Sequence, residues 1–159
     1  MRVPFASVNL PGDILYREGW VRHHVMPMQC IRDPTLGPFL SKMRSQRLYI
    51  DDFNKNGILL PTLPSQSKLT GLPLHRGGHR NYNARIIAER NAIRVFCESI
   101  RTESYRLEIA LSGLCSLQKR VRYAIVTQRV DHVDRVILRG RTDSDLDALI
   151  DRLFLANAQ

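Results

Sequence analysis

Apolar positions in this chain change their spacing several times, and each change marks an element. Residues 21–26 are partly β-branched and stop at Pro27, the pattern of a brief strand or extended segment. From Asp33-Pro34-Thr35 the spacing turns helical: Leu36, Phe39, Leu40 and Met43 share one face and predict a helix to about Gln46. Asn56-Gly57 is a turn signal, followed by Ile58-Leu59-Leu60, a second short strand ended by Pro61. Residues 61–73 hold Pro61, Pro64 and Pro73 among Ser, Thr and Gly and read as a loop. A helix is predicted from His79 or Arg80 to about Ile100. Ile86, Ile93, Phe96, Cys97 and Ile100 form its apolar face, with Arg85, Arg90 and Arg94 mainly elsewhere on its circumference. A second helix covers 102–120, with Leu107, Leu111, Leu114 and Leu117 toward the core. Residues 123–126 and 136–138 read as short strands on either side of the polar Asp131-His132-Val133-Asp134. Thr142-x-x-Asp145 is like a capping box and opens a last helix with Leu146, Leu149, Ile150, Leu153 and Phe154 inward.

Strand, helical insert, strand, loop, helix and helical tail make an α+β chain that is mostly helical. Its organisation reads as an irregular arm over 1–19, a core over 20–100, and a helical C-terminal extension over 101–159 packed on that core. At 159 residues one domain is expected, large enough to bury a core without disulfide staples. The shares of hydrophobic (43%) and charged (25%) residues are those of an ordinary globular protein. Cys30, Cys97 and Cys115 are odd in number and lack Cys-x-x-Cys spacing, so a reducing compartment is expected. Cys97 and Cys115 fall in apolar helical patterns and read as small core residues, whereas Cys30 follows the first histidine pair. No apolar run is long enough for a membrane span, and the first residues lack the apolar stretch of a signal peptide. A cytoplasmic location, or delivery by a separate secretion system, is the expectation.

Charge changes the picture. The net charge is +9, and the only lysines are Lys42, Lys55, Lys68 and Lys119, so most basic residues are arginine. The planar arginine fork pairs with phosphate oxygens, which points to nucleic acid as a partner.

Four of the five histidines fall into two groups, His23-His24 and His75-Arg76-Gly77-Gly78-His79. Neutral imidazole binds metals and exchanges protons near neutral pH. Neighbours on a strand point to opposite faces, so His23 and His24 cannot both serve one metal without a backbone twist, but they can do different jobs, one binding metal and the other facing substrate as a base. His75 and His79 have the spacing of a helical pair, but Pro73 and Gly77-Gly78 argue against a regular helix there. His75 is expected in the loop and His79 at the mouth of the following helix. His132, between aspartates, reads as a solvated turn residue. Tyr82 and Asn83 read as packing and capping residues of the helix start.

The segments His23-His24-Val25-Met26-Pro27, Asn56-Gly57-Ile58-Leu59-Leu60-Pro61 and His75-Arg76-Gly77-Gly78-His79-Arg80-Asn81-Tyr82-Asn83 occur in that order. Together they resemble the AHH branch of the HNH/endonuclease VII nuclease superfamily over about residues 20–100. Two positions depart from that pattern: Arg22 replaces its alanine, and Arg80 replaces the proline after its last histidine. The resemblance implies a ββα-metal core holding one divalent cation and an endonuclease that hydrolyses phosphodiester bonds, with DNA the expected substrate. It places His24 as general base and Asn56 as the residue that steadies the base-bearing segment. His23 and His79 become metal ligands, with His75 a further ligand or phosphate contact. Arg76 and Arg80 are then candidates to hold a neighbouring phosphate. Imidazole ligands favour zinc, nickel or manganese, while magnesium remains an option with waters completing its shell. Members of this branch often act as toxin modules, which adds a protein inhibitor or immunity protein to the partner classes. Two other readings compete: a basic nucleic-acid-binding protein with a structural metal site and no catalysis, and a hydrolase of small phosphoesters. Structural zinc sites favour four ligands with cysteine, which these cysteines are not placed to supply, and the broad basic charge disfavours a small substrate.

Overall fold

The structure is a computed structural model and describes residues 1–45, 48, 50–127 and 145–155. Among the described residues, the only regular sheet pairs β1 (Trp20–His24) with β2 (Gly57–Pro61) in antiparallel register, with His23 opposite Ile58 and His24 opposite Gly57. Between the strands lie α1 (Gln29–Arg32), α2 (Leu36–Ser45) and the single turn α3 (Phe53–Asn56). After β2 come α4 (Pro64–Thr70), α5 (Arg80–Glu98), α6 (Glu103–Thr127) and α7 (Asp145–Leu155). The described residues are thus mostly helical with one small sheet, the α+β arrangement expected from the sequence.

A lone hairpin of this size is marginal in water. Here helices cover it. Val25, Met26, Leu60, Tyr82, Ile86, Leu114 and Val121 are all essentially buried in one core that joins sheet, α5 and α6. The helix expected from Asp33 begins at Leu36, where the Asp33 carboxylate accepts from the backbone N–H groups of Thr35 and Leu36, each at 2.8 Å. The inward face expected for the last helix is observed: Leu146, Leu149, Ile150 and Phe154 are buried.

Three local expectations are corrected. Residues 64–70 are helical rather than looped. Pro64 supplies the first helical position, where its missing N–H costs nothing, and Gly71 ends the turn in the left-handed conformation at φ 72°. Residues 123–126 continue α6 instead of forming a strand, because Val121, Ala124 and Ile125 extend the buried helical stripe of Leu114 and Leu117. On α5, Arg90 is fully buried and Phe96 is 63% exposed, the reverse of the expected placement. The face that packs runs through Tyr82, Ile86, Arg90 and Cys97. The strand expected at 136–138, the turn around His132 and the capping residue Thr142 lie outside the described residues.

The N-terminal arm has no extended element beyond the 3-10 turn Phe5–Ser7 and an isolated bridge between Pro4 and Asp52. It is nevertheless tied down. Phe5 N–H donates to Asp51 O at 3.0 Å, and Phe53 N–H donates to Val3 O at 2.8 Å.

Candidate metal centre

Strand alternation separates the first histidine pair. His23 is buried at 7% exposure and turns toward His75, His79 and Tyr82. His24 takes the other face, where its ring stacks on Phe5 at 3.5 Å between centroids and 11° between planes. The second pair converges on His23 by two devices. The His75 backbone N–H donates to Pro61 O at 2.8 Å, which hangs the loop from the end of β2. The loop then reverses at Gly77, at φ +114°, a conformation costly for any residue with a Cβ, and reaches His79, the N-cap of α5. His75 therefore lies in the loop and His79 at the helix mouth, as the two glycines imply, rather than on consecutive turns of a helix.

The ligand atoms of His23, His75 and His79 lie within 4.8 Å of one another. The imidazoles meet edge to face, with centroids 4.6 Å apart for His75 and His79 and 5.4 Å for His23 with each of them. The donor set fits a divalent transition metal. Burial first, and then the neighbouring histidines, hold His23 well below its ordinary pKa. Burial lowers His75. Burial and His75 bring His79 to about 4, against an upward pull from Asp147. All three rings are thus neutral at pH 7, the form that offers a lone pair to a metal. The buried Nε2 of His23 has no hydrogen-bond partner among the described residues, as expected of a nitrogen kept for a cation.

His23, His24, His75 and His79 open on one shallow groove of about 280 Å³, bordered by Arg22, Pro27, Gln29 and Asn83. Burial lowers the His24 pKa as well, opposed by Asp51 and reinforced by Arg22. Its buried Nε2 is likewise without a partner among the described residues. Arg22, the departure from alanine, holds the arm in place: its Nη1 donates to Ala6 O at 2.5 Å and its guanidinium lies 6.0 Å from the Phe5 ring centroid. Arg76 and Arg80 are exposed on the two sides of the Gly77-Gly78 turn.

Asn56 does not reach the groove. It is fully buried, and its amide is saturated. Oδ1 accepts from Met26 N at 2.8 Å and from Gln118 Nε2 at 2.9 Å, while Nδ2 donates to Met26 O at 3.0 Å and Ile50 O at 2.9 Å. Its own carbonyl accepts from Val25 N at 2.8 Å. The segment that leaves His24 is therefore clamped at two successive residues. Gly57 follows because the site tolerates nothing larger: a Cβ there would lie 2.1 Å from the Phe53 ring, which in turn packs 5.7 Å from Phe5.

Several residues essential to this geometry were not singled out as such by the sequence. Tyr82 is fully buried, donates its hydroxyl to Val25 O at 2.5 Å and lays its ring 5.2 Å from His23. Gln118 reaches Asn56 from α6, 62 residues away. Arg90 is fully buried beside Cys30, whose thiol burial pushes up, and beside the Met26 sulfur; both are in the core, so Cys30 is no groove residue. None of these carries a local signal except the helical spacing of Tyr82 with Ile86 and Arg90.

A family model described as "AHH: a nuclease family of the HNH/ENDO VII superfamily with conserved AHH" matches residues 7–120. The match spans more than half of the chain, which therefore belongs to this nuclease family. It extends past the histidine motifs to include most of the arm and much of α6, which supplies Gln118 to the Asn56 clamp. No curated protein and no solved structure matches the chain significantly. Among the described residues no helix is long and apolar enough to cross a membrane.

Proposed function

We propose that this chain is a metal-dependent endonuclease that hydrolyses phosphodiester bonds in DNA, with His24 as the general base. The observation that carries this reading is the division of labour at the end of β1. His23 joins two other neutral imidazoles within 4.8 Å, while His24, the next residue, faces the same groove from a separate environment.

His23, His75 and His79 would hold one divalent ion, and three imidazole donors suit zinc, nickel or manganese better than magnesium. When bound, the ion supplies positive charge to the phosphate and to the leaving 3′ oxygen. The neutral His24 ring accepts a proton from a water in the groove as that water attacks phosphorus. Phe5 keeps the ring at a fixed tilt, and Asn56 fixes the strand end through Val25 and Met26. Both act by positioning, and neither touches substrate. Arg76 and Arg80, exposed beside the histidines, would pair with flanking phosphates. A net charge of +9 favours a polyanionic strand over a small phosphoester.

The test is cleavage of supercoiled plasmid, with an RNA of similar length in parallel, in zinc, nickel, manganese or magnesium and with or without chelator. Wild-type protein should nick DNA only with metal. His24→Ala should lose about 10²–10⁴ in rate, the usual worth of general-base help, while still binding metal. Wild-type protein that binds DNA but cuts it under no metal overturns the catalytic reading. His24→Ala cutting at the wild-type rate overturns the assignment of the base.

A further inference from the structure

The C-terminal helix α7 lies outside the residues matched to the family, yet its Asp147 reaches the first turn of α5, directly after His79. His79 is the N-cap of α5, but its side chain makes no capping bond, and the first turn of α5 contains no acidic residue. Helix starts leave backbone N–H groups without intrahelical partners and favour nearby negative charge. Here the acceptor comes from 65 residues away: Asp147 Oδ1 takes the Tyr82 N–H at 2.6 Å. Asp147 is 4% exposed, so this carboxylate has been withdrawn from water to meet the mouth of α5.

We propose that Asp147 is a positioning residue for the metal centre, its carboxylate fixing His79 and the first turn of α5 so that α7 forms part of the support of the site. The inference rests on the reading of His23, His75 and His79 as metal ligands. Carboxylates behind metal-binding histidines orient the ring and raise its strength as a donor. The carboxylate, held at the Tyr82 N–H, also opposes the lowering of the His79 pKa by burial and His75.

The rest of α7 is built to hold that carboxylate still. Leu146, Leu149 and Ile150, its neighbours along α7, are buried in the core. At the far end, the Phe154 ring lies between two guanidinium groups, Arg85 at 5.0 Å and Arg120 at 4.9 Å. Glu89 pairs with both arginines at 3.6 Å, which joins α5, α6 and α7 in one cluster. The helix is therefore anchored at both ends, by cation–π contacts at Phe154 and by a charge-assisted hydrogen bond at Asp147.

Asp147→Asn separates the two roles, because the amide keeps an oxygen for Tyr82 N–H and removes the charge. The probe is Co(II), followed by its visible absorption in full-length protein stripped with chelator. Asp147→Asn should melt close to wild type without metal, yet bind Co(II) about 10–100-fold more weakly, the usual effect of losing a supporting carboxylate. Asp147→Ala should show the same loss of affinity and a lower melting temperature besides. If the asparagine variant does not fold, Asp147→Ser, which keeps a small uncharged acceptor, carries the same comparison. A folded, uncharged variant with wild-type Co(II) affinity overturns the inference and leaves the metal centre standing. Wild-type protein that binds no Co(II) overturns the metal centre itself, and this inference with it.

Discussion

Asn56 and Met26 exchange a reciprocal pair of hydrogen bonds, Met26 N to Oδ1 at 2.8 Å and Nδ2 to Met26 O at 3.0 Å, across 30 residues of sequence. A side-chain amide is pairing here as a strand backbone would: the Val25 N–H already donates to Asn56 O, and the amide extends the pairing from there to Met26, two residues beyond His24. The arrangement needs both a donor and an acceptor. In Asn56→Asp the Met26 and Ile50 carbonyls would face a carboxylate oxygen in a site with no exposure. A loss of about 3 kcal/mol or more is expected, since buried donors and acceptors are left mismatched around a buried charge. Urea unfolding at pH 7 measures it, and a variant as stable as wild type would show that the clamp is dispensable.

Substitutions within the histidine set should divide by strand face. His23→Ala removes the ring that lies against both other imidazoles and should lower metal affinity by more than the about 10–100-fold typical of a lost supporting residue. His24→Ala should leave affinity near wild type. Calorimetric titration with Ni(II) compares the two, and equal losses would mean that both faces of β1 serve the ion.

The histidine cluster also fixes the pH response of the protein freed of metal. His23, His75 and His79 sit below their ordinary value of 6.5, His79 at about 4, chiefly because burial disfavours their charged forms. Below about pH 6.5 the unfolded chain takes up these protons while the folded chain refuses them. Stability therefore rises with pH across this window and is lost as pH falls from about 6.5 toward 4. Melting curves in chelator at pH 7.5, 6.5, 5.5 and 4.5 should show a progressive fall, with a shallower slope for His79→Ala. A melting temperature flat over this range would contradict the burial of the cluster.

The two glycines of the connecting loop should behave differently. No atom lies within 4 Å of a Cβ built on either, so space is not the issue. Gly77 alone has positive φ, at +114°. Gly77→Ala should cost about 1–2 kcal/mol through backbone strain and weaken metal binding by moving His75 away from His79, whereas Gly78→Ala should be nearly neutral. Equal effects in thermal melts would show that the turn does not depend on the backbone of Gly77.

What was legible in the sequence was local. The alternation of His23 and His24 follows from strand geometry, the broken His75–His79 pair from Gly77-Gly78, and the inward face of α7 from its spacing. Each needs only neighbouring residues. The placements that were not legible depend on partners far along the chain. Arg90 and Phe96 exchange inside and outside because α5 is oriented by its contacts with α6 and α7, which no window on α5 contains. Residues 123–126 carry tyrosine and β-branched valine, which favour strands, but the buried stripe of α6 overrides that preference. Gln118 and Asp147 reach the site across 62 and 65 residues, and neither position is marked by its neighbours.

Gly57 stands opposite His24 in the ladder, yet the two are linked most directly through rings: Phe53 fills the space a side chain at 57 would need, Phe5 leans on Phe53, and His24 lies flat on Phe5. One methyl group at residue 57 would thus travel through two aromatic rings and arrive at the imidazole as a change of angle. On the proposed role of His24 as base, the packing of Phe53 and Phe5 would set the rate without touching the histidine triad. Graded substitutions at Phe5 and Phe53 are the way to vary it.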